Sequence, residues 1–275
     1  MSYGNSVTEF FKNRAPLDAQ RLAHELRIRQ CLWQEAVIKD EVTSTNDVAQ
    51  ELIKDNISAG TFVVANFQTT GRGRQLRTWE APKNSSIFVS IILKPNQERK
   101  LGWIPLMTGL ALLNAISIET RKQVKLKWPN DLILVENKKN FKFAGILLEK
   151  HDEYVIAGVG INYNQSSSEL PISDATSLKN ILSQEISKEV ILASFISEFA
   201  TIWEEGKNAK DWPAPSLIRN YSDSCQTLGQ QITAHIPGGK TVSGKALEIS
   251  PEGELVLVTD KGILKLNSAD IHLEH

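Results

Sequence analysis

Cysteine is scarce in this chain. There are two in 275 residues, Cys31 and Cys225, far apart and in no CxxC pair. That spacing argues against a disulfide framework and a thiolate zinc site, and both thiols are expected to be reduced and half-buried. The five histidines show no HxxxH or other ligand spacing, so no metal held by histidine or cysteine is expected. Neither sign of charge is in excess. The formal net charge is −1, which gives no global field to draw in nucleic acid or an anionic membrane, and neither is expected as a partner. The longest apolar run noted, SIFVSIIL, has strand length rather than the ~18–20 residues of a membrane span. The opening MSYGNSVTEFFKNR lacks the long apolar core of an export signal, and a cytoplasmic location is expected. No internal repeat or low-complexity linker stands out, and the terminal Leu-Glu-His is given no role.

What is present is ordinary in bulk: 41% hydrophobic and 23% charged residues. This suits a soluble globular protein with one large domain, or a large and a small one. Residues 17–30, LDAQRLAHELRIRQ, read as a helix capped by Asp18, with Leu22, Leu26 and Ile28 near one face. AVIKDEV reads as a strand, followed by a helix DVAQELIKD that Ser44, Thr45 and Asn46 can cap. GTFVVANF and SIFVSIIL are β-rich, and WIPLMTGLALLNAISIET is a long helix expected to be buried over most of its surface. VKLKWPNDLILV reads as strand, turn, strand, with the turn at Pro129-Asn130-Asp131. KFAGILLEK and YVIAGVGINYN are two more strands. ATSLKNIL and SKEVILASFISEFATIWEEG are helices, the second capped by Ser187. From about residue 225 short strands alternate with Gly and Pro. QITAHIP, TVSGKALEIS, ELVLVTD and GILKLN predict a small β-barrel.

Against this background QTTGRGRQLRTW, residues 68–79, stands out. Glycines let backbone N–H groups approach an anion, arginines clamp carboxylate and phosphate oxygens, and Trp79 offers a flat face to a base. A solvated basic loop would explain the composition, but a nucleotide together with a carboxylate would explain every part. GRGR is not a dinucleotide fingerprint, because position 76 is Leu and no βαβ unit follows. GGKT at 238–241 is not a phosphate-binding P-loop. Its first glycine would fall at Ala234, and a hairpin turn at Pro237-Gly238-Gly239 is the simpler reading. KWPND couples Lys127 with a rigid turn carrying an amide and a carboxylate. GVGIN sets glycines beside Asn162, whose amide both donates and accepts.

Taken together and in order, TSTND, QTTGRGR with its following Arg77 and Trp79, KWPNDL, FKFAGILLE and GVGINYN resemble the biotin protein ligases, the biotin–acetyl-CoA-carboxylase ligases. The resemblance runs over about residues 40–271. It implies an α/β catalytic domain with a mixed sheet, like that of class II aminoacyl-tRNA synthetases, and a C-terminal SH3-like barrel. The boundaries expected are an N-terminal helical segment 1–35, a catalytic domain 36–224 and a C-terminal domain 225–275. The first 35 residues are too few for a winged helix-turn-helix, so no repressor activity is expected. The implied reaction joins biotin to AMP using ATP, then passes biotin to a lysine of a biotin carboxyl carrier domain. Mg²⁺ would arrive on the nucleotide, and the enzyme would act as a monomer or homodimer.

By the same resemblance, Ser44, Thr45 and Asn46 meet the ureido end of biotin. Gln68, Gly71, Arg72, Gly73, Arg74 and Gly145 line its site. Lys142 contacts both carboxylate and phosphoryl group and is, with Arg74 and Asp131, the implied catalytic set; Asp131 would orient the incoming lysine. Arg77, Trp79, Lys127, Asn130 and Asn162 fall to ATP, with Trp79 over adenine and Asn162 reading its edge. The family's loop usually has Gly where this chain has Leu76, which makes φ > 0 costlier there and puts loop closure in question. Two rival readings fit parts of the pattern: a lipoate ligase, which lacks the GRGR loop and its Trp79, and a platform of Arg72, Arg74, Arg77 and Trp79 for single-stranded nucleic acid, against which the near-neutral charge speaks.

Overall fold

In the computed structural model the described residues are 14–96, 98–207 and 212–273. The first helix, α1 (Ala19–Ile28), is capped by Asp18, whose carboxylate accepts from the backbone N–H of Gln20 at 2.8 Å and Arg21 at 3.0 Å. Leu22 and Leu26, one turn apart, are buried, but Ile28 is 57% exposed. Two residues beyond Leu26 amount to about half a turn, so Ile28 cannot share their face.

A seven-stranded sheet follows, built from β1 (Ala36–Val42), β2 (Phe62–Gln68), β3 (Ser86–Leu93), β4 (Lys125–Lys127), β5 (Asp131–Glu136), β6 (Lys139–His151) and β7 (Tyr154–Asn162), in the spatial order β1-β2-β3-β7-β6-β5-β4. Only β1 and β2 pair in parallel, and α2 (Thr45–Lys54) connects them as a βαβ crossover. The remaining neighbours are antiparallel. The sheet is therefore mixed, as expected.

Period-2 alternation separates its two faces. Ile87, Val89 and Ile91 of β3 and Ala157, Val159 and Ile161 of β7 join the main core with α3 (Ile104–Thr120) and α5 (Lys188–Lys207). The alternate residues turn to the other face, where Ile92 and Ile156 pack with Ala49 of α2. Further along that second face, Ser90, Gly158 and Gly160 replace the large apolar side chains. That substitution opens the site.

Helix α3 corrects one expectation. Leu101–Thr120 is long and apolar enough to cross a membrane by length and composition. Here the segment is core, with Leu106, Met107, Leu110, Ala111 and Ile116 buried. ATSLKNIL forms only a single turn, α4 (Leu178–Ile181). Both cysteines are free and fully buried rather than half-buried, and burial pushes the Cys225 thiol up.

After α6 (Pro215–Ser224) comes a second, five-stranded antiparallel sheet: β8 (Gln231–Ile236), β9 (Lys240–Ile249), β10 (Leu255–Thr259), β11 (Gly262–Leu266) and β12 (Asp270–Leu273), in the order β11-β10-β9-β8-β12. Gly238 and Gly239, both at positive φ, make the β8–β9 hairpin that had been read from GGKT. The last strand, β12, was not foreseen.

The two sheets are joined by buried tryptophans. Trp103 donates from Nε1 to the Pro251 carbonyl at 2.9 Å, and Trp128 to that of Gly253 at 3.3 Å. Thr227 accepts from the Trp128 backbone N–H at 3.0 Å. Trp103→Ala is expected to cost about 3–5 kcal/mol, mostly lost packing. Urea denaturation followed by near- and far-UV circular dichroism checks this, and a loss below ~1 kcal/mol would show that the junction bears little of the stability.

Candidate active site

The cavity lies on the glycine-bearing face of the large sheet, beneath the arginine-rich loop, and has a volume of about 560 Å³. One end is polar and uncharged. Ser44 caps α2, and Ser44, Thr45 and Asn46 are all buried at that helix start. The Thr45 backbone N–H and hydroxyl both lie against Gln68 Oε1, at 2.7 and 3.1 Å. Ser90 Oγ stands 2.6 Å from Asn46 Oδ1 and 2.7 Å from Thr45 Oγ1. Gly158 makes room for this arrangement, because a Cβ there would sit 2.4 Å from Asn46 Oδ1.

The middle and far end carry the charge. Arg72 donates to Asp47 at 2.6 Å and to Glu149 at 3.2 Å. Its guanidinium is held charged by those hydrogen bonds, Asp47 first. Arg74 donates to Asn130 Oδ1 at 2.9 Å and to Ser268. Burial pulls Arg74 below its usual value, with Asp270 and Asp131 partly restoring it. Arg77 pairs with Asp270 of β12. Lys142 Nζ lies 2.6 Å from Asp131 Oδ1 and 5.5 Å from the centroid of the Trp79 ring.

Backbone geometry shapes the loop. Gln75 and Leu76 both adopt positive φ, 54° and 61°, and Leu76 is fully exposed. The chain thus takes a left-handed bend without the glycine that would relieve it, at a cost of roughly 1–2 kcal/mol. Gly73 N–H donates to the Arg77 carbonyl at 2.7 Å and Trp79 N–H to that of Gly71 at 2.9 Å, closing the loop on itself.

Trp79 is seated on the strands. Gly145 of β6 and Gly160 of β7 are cross-strand partners. A Cβ on either would come within 2.9 Å of the indole. Together they form a flat floor for the ring. The cavity lining also includes Pro171, Ile172 and Ala175. This segment is stitched to the strand through Lys142: its N–H donates to the Asp174 carbonyl at 2.7 Å and its carbonyl accepts from Thr176 N–H at 2.8 Å.

Of the residues singled out from the sequence, Ser44, Thr45, Asn46, Gln68, Arg72, Gly73, Arg74, Arg77, Trp79, Asn130, Asp131, Lys142, Gly145 and Asn162 all line this one cavity. Gly71 and Lys127 do not. Gly71 packs behind Trp79, where a Cβ would meet the Trp79 carbonyl oxygen at 2.5 Å. Lys127, on the short edge strand β4, is pushed down by burial. Asn162 lines the cavity but is already engaged, donating to the Thr176 carbonyl at 3.0 Å and accepting from Gln165 at 3.1 Å. One donor hydrogen and one acceptor lone pair of its amide remain. Sequence reasoning missed Phe88, Ser90, Ile172, Ser268 and Asp270; Gly158 belongs to the GVGIN stretch but was given no role of its own. Only the period-2 face of SIFVSIIL, with serine interrupting apolar residues, hinted at Ser90.

The profile of the Biotin/lipoate A/B protein ligase family matches residues 39–164, and that of the biotin protein ligase C-terminal domain matches 227–273. The chain is 34% identical over 253 residues to a bifunctional ligase/repressor BirA of Bacillus spizizenii, covering 89% of this chain and 75% of that protein. It is 29% identical to a biotin–[acetyl-CoA-carboxylase] ligase of Mycobacterium tuberculosis, covering 96% of this chain and 98% of that one. A biotin protein ligase from Aquifex aeolicus, solved with biotin and ATP, superposes with a TM-score of 0.73 at 30% identity, covering 88% of this chain and all of the other. The chain belongs to the biotin protein ligase family.

Replacing Gly160 with alanine forces the indole off its floor. Biotin affinity in the Gly160→Ala protein is expected to fall about tenfold, with an altered tryptophan emission, because overpacking a close contact costs on the order of 1–3 kcal/mol. Unchanged emission and affinity would show that the floor tolerates the methyl group.

Proposed function

We propose that this cavity holds biotin and ATP side by side, forms biotinyl-5′-AMP, and delivers the biotinyl group to a lysine of a carrier domain. The chain is an ATP-dependent biotin ligase, and the family acts on biotin carboxyl carrier proteins of carboxylases. The observation that supports the placement is the union, in one cavity, of an uncharged amide-and-hydroxyl end with a cation-rich end. The first suits a cyclic urea. The second suits a carboxylate beside a triphosphate, two groups that repel one another until their charge is neutralised.

In the first step a carboxylate oxygen of biotin attacks the α-phosphorus, and the bond to the β-phosphate oxygen breaks to release pyrophosphate. Lys142 is the group in this reading that stabilises charge on both reactants, with Arg74 beside it. Arg72 and Arg77 exchange their carboxylate partners for substrate oxygens. Seated on its glycine floor, Trp79 closes the site from water and protects the anhydride. Among the described residues no cluster of three His, Cys, Asp or Glu side chains stands ready to hold a metal ion. Mg²⁺ would arrive, in this reading, on the nucleotide phosphates, which suits its preference for few protein ligands. In the second step the acceptor amine attacks the acyl carbon and AMP leaves. Asp131 takes the proton that the amine must lose. The reading includes a cytoplasmic location, a monomer or homodimer, and no nucleic-acid partner.

Lys142→Ala is expected to lower ATP–pyrophosphate exchange by about 10²–10³-fold, the range for loss of one charge-stabilising donor. Biotin binding measured by calorimetry should weaken far less, and exchange at the wild-type rate would remove Lys142 from the chemistry. Because Asp131 is the counter-ion of Lys142, Asp131→Asn should slow adenylate formation somewhat and transfer to the carrier much more. Single-turnover transfer from preformed adenylate separates the two. An equal loss in both steps would reject Asp131 as the proton acceptor and leave it as a support for Lys142.

A further inference from the structure

Asn162 ends β7 on the face that carries Gly158 and Gly160, two residues beyond the glycine that seats Trp79. Directly across the ladder, on β3, stands Ser86. The Thr176 carbonyl can only accept, so the end of the Asn162 amide that meets it at 3.0 Å is the nitrogen. Oδ1 is then the end that meets Gln165 at 3.1 Å. An amide oxygen can only accept as well, so Gln165 presents its nitrogen there. Its second amide hydrogen goes to Ser86 Oγ at 2.8 Å. One backbone carbonyl thus fixes the orientation of both amides, and no hydroxyl has a say in it.

The frame around the pair is pinned. The Ser177 hydroxyl donates to the Gln165 carbonyl at 2.6 Å, and the Thr176 N–H to that of Lys142 at 2.8 Å. Gln165 is 1% exposed and lies outside the cavity lining, whereas Asn162 belongs to it. Gln165 Oε1 is buried without a partner among the described residues, so the hydrogen bonds of this side chain are the two that Nε2 makes. Held at both ends, Asn162 keeps one N–H and one lone pair of Oδ1 in a set order. Adenine presents the complement, an amino group beside a ring nitrogen. Hypoxanthine carries an oxygen in place of that amino group and would set two acceptors face to face.

We propose that Gln165 is a positioning residue that sets the base specificity of this site. By holding the Asn162 amide in one orientation, it selects a base with an amino group beside a ring nitrogen over one with a carbonyl there. Gln165 touches no substrate and acts through Asn162. This rests on the reading that the base of ATP meets Asn162.

The discriminating pair of nucleotides is ATP and ITP, whose base is hypoxanthine. Biotin-dependent pyrophosphate exchange gives kcat/KM for each with the wild type, Gln165→Met, Gln165→Glu and Asn162→Ala, and thermal melts establish that each variant is folded. Wild type should favour ATP about 10–100-fold, the worth of a two-bond contact between an amide and a base. Gln165→Met fills the same space without a donor. Its preference for ATP should shrink about fivefold, chiefly through KM, because one buried hydrogen bond to the orientation is lost. Gln165→Glu sets a carboxylate against Oδ1 and should lose at least as much. If both folded Gln165 variants weaken the two nucleotides by the same factor while Asn162→Ala still lowers the preference, Gln165 is only a packing residue and the proposal fails. If Asn162→Ala leaves the preference unchanged, the base does not meet Asn162, and that placement and this proposal fail together.

Discussion

Concentrated positive charge in a half-buried cavity is the constraint on which the rest of this structure depends. Guanidinium and ammonium groups pulled away from water need partners, and several kcal/mol are at stake for each when a partner is missing. This chain meets the need with its own oxygens. Arg72 is held by Asp47 and Glu149, Arg77 by Asp270, and Lys142 by Asp131, while Arg74 rests on Asn130 and Ser268. The exposed pairs are each worth no more than about 1 kcal/mol, so exchanging them for substrate oxygens costs little. A site built this way keeps its cations in place between turnovers without holding them so tightly that a substrate cannot take them.

The same economy of space governs the uncharged parts. A sheet normally fills its faces with branched side chains, but here glycine occupies the positions where another group must approach the backbone. Gly145 and Gly160 accept a whole indole, and Gly158 accepts the amide of Asn46. Depth is thus obtained by deleting side chains from two neighbouring strands. The walls around that hollow can remain as densely packed as any protein interior.

Much of this was legible in the sequence, for identifiable reasons. AVIKDEV is β1 residue for residue: Val37, Ile38 and Val42 favour a strand, and Thr43 and Ser44, which lead into the next helix, end it. Asp18 and Ser44 cap the helices assigned to them, since capping is a local hydrogen bond that needs no tertiary context. The arginine loop was recognisable because so many cations beside glycine have few other uses. Contacts between distant segments were not legible. Ser90 looked like a lapse in an apolar strand, and only the register against Gly158 reveals what it faces. Asp270 stood in a short terminal stretch without a turn signal or a clear alternation, so β12 went unseen. Gly71 and Lys127 entered through the resemblance and lie outside the cavity lining: Gly71 is packed against the Trp79 carbonyl, and Lys127 is on the short edge strand β4. Leu76 takes the positive φ that its side chain was expected to make costly, next to Gln75 in the same conformation, at a place where its side chain is fully exposed.

The pairing of Arg77 with Asp270, and of Arg74 with Ser268, has a consequence for how the protein comes into being. The loop that carries those arginines leaves the ribosome nearly two hundred residues before the groups that hold it. Until β12 has been synthesised and has paired with β8, the loop has no fastening on that side and the cavity lacks part of its wall. A nascent chain can thus complete its large sheet while still lacking a finished active site. Catalytic competence in this fold is a late product of synthesis, conferred by one of its shortest strands.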